Sequence, residues 1–124
     1  MTRVRLEFLQ WYALLGGALA WTAEHVLGYF VSVAGCSASV GHWNVSLAVW
    51  ESLLTGVSLA AVLAAEAAAL LVYRATAVVD DDAPGPDGRM HFFAQAALLG
   101  NVLFFMLVVL DGAGVLYHAN CRLS

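Results

Sequence analysis

Charge is the scarcest feature of this sequence. Of its 124 residues only 11% are Asp, Glu, Lys or Arg, where a soluble domain carries about 25%. That shortfall excludes an ordinary water-soluble domain. Five basic residues and a net charge of −4 likewise exclude a basic nucleic-acid surface. Proline is confined to Pro84 and Pro86, and cysteine to Cys36 and Cys121. No HExxH or CxxC spacing, nucleophile–base arrangement or phosphate-cradling loop occurs. The chain therefore reads as no enzyme on its own, with no catalytic residue, no metal site and no cofactor bound directly. Runs of about 10 residues separated by turns, the mark of an outer-membrane barrel, are missing too. So are long internal repeats and any disordered composition.

What the chain has instead is apolar surface: 62% of its residues are hydrophobic, and its mean hydropathy is +0.82. Three apolar segments span residues 6–34, 45–73 and 91–117. Each exceeds the ~20 residues a helix needs to cross a bilayer core of about 30 Å. The expected fold is a single all-α integral membrane domain over residues 1–124, with three transmembrane helices. Arg3, Arg5, Arg74 and Arg89 lie on one side of this arrangement and only Arg122 on the other. The positive-inside rule then makes the N-terminus and the loop 74–90 cytoplasmic and the C-terminus periplasmic. Asp80, Asp81 and Asp82 carry little weight in that rule. Within the loop, Pro84, Gly85 and Pro86 break any helix, and Asp87 is placed to cap the third one. Trp11 and Tyr12 at one face, and Trp43 and Trp50 at the other, suit the interfaces. The predicted location is the bacterial inner (cytoplasmic) membrane, multi-pass and in contact with lipids.

Three crossings place Cys36 and Cys121 beyond helix ends on the same outer side, where a disulfide persists. The stretch Val33-Ala34-Gly35-Cys36 also resembles a lipoprotein cleavage site. However, the apolar region before it is nearly twice as long as a signal peptide's, and it contains Glu24 and His25. A retained helix end pinned by Cys36 is the expectation.

Ionisable groups within an apolar slab are costly and mark either function or packing. Glu24 and His25 lie two to three turns below the outer end of the first segment. Glu51 is about one turn inside the second. Asp111 is in the outer half of the third, with His118 seven residues further on. Their depths predict an outer polar cluster of Glu24, His25, Glu51, Asp111 and His118, in which the adjacent Glu24 and His25 point different ways. Glu66 stands alone in the inner half of the second segment, and Asn101 near the middle of the third. Such groups relay protons, bind a metal, or form neutral hydrogen-bonded pairs that hold helices together. A haem between His25 and His118 is disfavoured, because their depths differ by about 10 Å. Ser52, Thr55 and Ser58 are expected to return hydrogen bonds to their own helix.

Small residues recur at helical spacing: Ala13, Gly17, Ala20 and Gly28 on the first helix, and Gly56, Ala60 and Ala64 on the second. Gly100 contributes on the third. These are the predicted helix-packing faces. The acidic residues beyond them suggest that some of the surface meets another protein.

Several fragments, taken in order, resemble a group of small uncharacterised bacterial membrane proteins encoded near cytochrome c oxidase and related respiratory genes. These are Leu15-Gly16-Gly17-Ala18-Leu19-Ala20-Trp21, then His25, Gly28-Tyr29 and Gly35-Cys36-Ser37. Trp50-Glu51, Leu54-Thr55 and the closing Cys121 follow. The resemblance implies a non-catalytic accessory subunit of a multi-protein respiratory membrane complex. The associated assembly would be a haem–copper oxidase or a quinol:cytochrome c electron-transfer complex, with haem or copper in the larger partner subunits. Two alternatives stay open. One is a proton- or metal-handling assembly protein, such as a copper carrier, acting through the outer cluster. The other is a small homo-oligomeric transporter lined by Glu66 and Asn101.

Overall fold

The computed structural model describes residues 2–36, 46–80 and 82–118. They form three helices: α1 (Arg3–Cys36), α2 (Leu47–Ala75) and α3 (Pro86–His118). At about 1.5 Å per residue each is longer than the ~30 Å apolar core of a bilayer. No proline lies inside any of them. Pro86 opens α3, where its missing N–H is harmless and its fixed φ suits the first turn. Gly85, at φ 115°, takes the left-handed backbone that turns the chain into that helix. α3 therefore starts at Pro86 rather than at residue 91. Asp87 sits inside its first turn, where a negative charge favours the helix dipole.

All three helix pairs pack against one another. Cross-helix contacts run antiparallel between α1 and α2 (Tyr12 to Ala61, Ser32 to Glu51) and parallel between α1 and α3 (Ala13 to Asn101, His25 to Asp111). The interior is made of small side chains. Ala13, Ala65, Ala69 and Ala97 are buried, and the largest fully buried residues are Val62, Val72, Val108 and Asn101. Bulky apolar residues such as Phe8, Leu19, Phe30, Val57, Leu103 and Leu110 face outward. A water-soluble bundle reverses this distribution. In lipid it is favourable, because helices associate through close van der Waals contact rather than by hiding large apolar groups. α2 and α3 are long and apolar enough to cross a membrane. α1 is long enough, but Glu24, His25 and its glycines dilute its hydropathy.

The packing faces only partly follow the small-residue stripes. On α1, Ala13, Gly17 and Gly28 are buried and Ala20 is half-buried. On α2, however, Gly56, Ala60 and Ala64 are exposed. The face turned inward carries Glu51, Ser58, Val62, Ala65, Ala69 and Val72 instead. Alanine is so frequent between residues 60 and 69 that several stripes fit helical spacing. Packing selects the register that sets Ala65 against Gly16. Gly100 has open space where a side chain would begin. Cys36 is the last residue of α1, while Cys121, Trp43 and Arg122 lie outside the described residues.

Candidate functional site

Polar cross-links recur along the bundle axis. At the end where α2 turns into α3, the Thr76 hydroxyl donates to the Val72 carbonyl (2.9 Å) and lies 2.8 Å from His91 Nδ1. A hydroxyl has one hydrogen, so the imidazole donates to it. Tyr73 stacks on the same ring at 4.8 Å. Further along, Tyr12 donates to the Ala61 carbonyl (3.2 Å), and Asn101 Nδ2 to the Ala13 carbonyl (3.0 Å). Asn101 fits because Gly17 has no side chain; a Cβ there would collide with the Asn101 carbonyl oxygen. Ser58 donates across to the Ala20 carbonyl (3.3 Å), whereas Ser52 returns its hydrogen bond to Ala48 of its own helix (2.6 Å). Of the three hydroxyls expected to bond within α2, Ser52 does so. Ser58 bridges to α1, because its position turns it into the bundle.

Beyond Ser58, towards the end of the bundle that carries Cys36 and Leu47, the helices enclose a cavity of about 200 Å³. Glu24 and His25 of α1, Glu51 of α2 and Asp111 of α3 all line it. His25 Nδ1 and Asp111 Oδ2 are 2.8 Å apart, joining α1 to α3 at the cavity's outer rim. The His25 side chain is 61% exposed there, with the Trp21 ring one turn below it. Glu51 is buried, and its carboxylate accepts from Ser32 (3.1 Å). The same carboxylate lies against Gly28, where a Cβ would come within 3.1 Å of it.

Glu24 is only 5% exposed. Neither of its carboxyl oxygens has a hydrogen-bond partner, although Thr55 approaches and Asp111, Glu51 and His25 are within electrostatic range. Thr55 in turn packs against Gly112, whose missing side chain makes room for it. Adjacent Glu24 and His25 thus point differently yet border one space. Neighbouring helix positions are about 100° apart, so they reach the inner wall and the outer rim respectively. Among the described residues no three His, Cys, Asp or Glu side chains are placed to hold a metal ion together. His118 ends α3, and its side chain lies outside the described part of the structure.

Glu66 and Asn101 do not join this cluster. They line a second cavity of about 200 Å³ between α2 and α3, walled by Val62, Leu63, Val102 and Phe105. One Glu66 oxygen is buried without a hydrogen bond.

Ser32, Tyr29 and Thr55 were not singled out for the site from the sequence. Ser32 and Tyr29 do carry a signal, since they lie two turns and one turn beyond Glu24–His25 on the same side of α1. Comparison of the chain with family models, with curated proteins and with solved structures finds no match.

Proposed function

We propose that this chain is a three-span protein of the bacterial inner membrane, N-terminus cytoplasmic and C-terminus periplasmic. It acts as a non-catalytic accessory subunit of a multi-protein respiratory membrane complex. Its partner is the haem- or copper-bearing core of a haem–copper oxidase or of a quinol:cytochrome c electron-transfer assembly. One observation carries the subunit reading: the His25–Asp111 pair opens onto the outside of the bundle, on a surface that carries outward apolar side chains such as Leu19, Phe30 and Leu110. Hydrocarbon offers such a pair no hydrogen bond, and a second protein surface does. The respiratory assignment rests on the resemblance of the ordered fragments given above. The outward Phe8, Leu19 and Phe30 of α1 support a third span.

A disulfide between Cys36 and Cys121 belongs to this reading. Parallel α1 and α3 bring Cys36, the last residue of α1, to the same face as the end of α3.

Gentle detergent extraction tests the assignment. The tagged protein is expected to co-migrate with larger subunits that carry a haem absorption band; migration alone would overturn it. The cavity itself favours a second reading, a proton-handling component in which His25 and Asp111 exchange protons with Glu24. A loss of proton-coupled turnover in the assembled complex on Glu24→Gln, with subunit composition unchanged, would select it.

A further inference from the structure

We infer that the cavity between the three helices binds an organic ammonium group. Three acidic residues, Glu24, Glu51 and Asp111, line one space of about 200 Å³. A water molecule's share of liquid is about 30 Å³, so the space is large enough for a small polyatomic group. Two of the three carboxyls already have protein donors: Glu51 accepts from Ser32, and Asp111 pairs with His25. Glu24 does not. It is buried, it lines the cavity, and both its oxygens lack a partner. Buried polar atoms of that kind are rare unless a donor comes from outside the chain.

Two N–H donors would satisfy both Glu24 oxygens, and positive charge would complement the three acidic residues that line the cavity. A metal ion is a poor match, since no three ligating side chains among the described residues are close enough to share one. An ammonium group, with three donors spread over a wider radius, bridges carboxyls that a bare ion cannot. Access is built in, because His25 and Tyr29 form an exposed rim. The inference does not depend on the subunit reading.

The ammonium has two sources: a free small amine from the aqueous side, or the headgroup of an aminophospholipid. The test uses the full chain in nanodiscs. In phosphatidylcholine discs, ethylammonium is titrated while Trp21 fluorescence and thermal midpoint are followed. Tetramethylammonium, which has no N–H, is the control. In a second arm, phosphatidylethanolamine replaces part of the phosphatidylcholine.

Saturable ethylammonium binding without tetramethylammonium binding identifies a free amine. Stabilisation by phosphatidylethanolamine that ethylammonium does not reproduce identifies the headgroup. In either case Glu24→Gln should weaken binding at least tenfold, and Glu51→Gln less, with helical circular dichroism unchanged. No response in either arm, equal binding by tetramethylammonium, or an unchanged Glu24→Gln would overturn the inference.

Discussion

At the scale of single residues, the interior depends on where a side chain is missing. Gly17 makes room for the Asn101 amide, and that amide ties α3 to the Ala13 carbonyl of α1. Gly17→Leu should therefore force α1 and α3 apart and destabilise the bundle by about 1–3 kcal/mol, the usual effect of overpacking. Asn101→Ala leaves the Ala13 carbonyl without its cross-helix donor. Its expected loss is about 1 kcal/mol, since interhelical hydrogen bonds in membranes are modest. Gly56 faces open space, so Gly56→Ala should change stability by less than about 0.5 kcal/mol. Reversible unfolding in mixed micelles measures all three. The stripe containing Gly17 was readable from the sequence, because on α1 small residues and bundle contact coincide. On α2 they do not, and no count of alanines distinguishes Ala64, exposed, from Ala65, buried.

The elements themselves are where spacing and composition speak most directly. Three long apolar runs gave three helices, with Pro86 and Gly85 marking the start of α3. Whether α1 spans with the other two is a question of sides. If it does, the ends before α1 and after α3 lie across the membrane from each other. A phosphatase fused after α3 should then be active and one fused in the 82–85 segment inactive. The same activity at both sites would reduce the spans to two or reposition them. The expected Cys36–Cys121 bond also acts on elements, tying the end of α1 to the chain beyond α3. Replacing both cysteines by serine should lower stability by about 2–4 kcal/mol. Non-reducing electrophoresis of the alkylated protein should show no reactive thiol before reduction.

For the whole molecule, the governing feature is a bundle with many bulky apolar residues pointing outward while Glu24 and Glu51 are buried. Such a body leaves the His25–Asp111 rim facing whatever surrounds it. If a partner covers that rim, His25→Ala should weaken subunit association while monomer unfolding changes little, because the pair is largely exposed. Native mass measurement after mild extraction reads this directly. A ring of identical copies in place of a mixed complex would favour the homo-oligomeric alternative, with Glu66 and Asn101 facing the axis.

The all-helical fold class was determined by the sequence alone. Scarce charge and long apolar runs leave an all-helical chain in which two helices are long and apolar enough to cross a membrane, a setting where every backbone group must be satisfied within its own segment. Depth along those runs also grouped Glu24, His25, Glu51, Asp111 and His118, because rise per residue converts position into height. The first four line one cavity, and the His118 side chain lies outside the described part of the structure. What height does not contain is rotation. The tertiary structure alone decided that Glu24 turns inward without a partner while its neighbour His25 reaches the rim. It also decided that Ser58 crosses to α1 and that Glu66 faces a different cavity. Those outcomes follow from how three helices rotate to bring Gly16, Gly17, Gly28 and Gly112 against their neighbours, a many-body fit that periodicity on one helix does not encode.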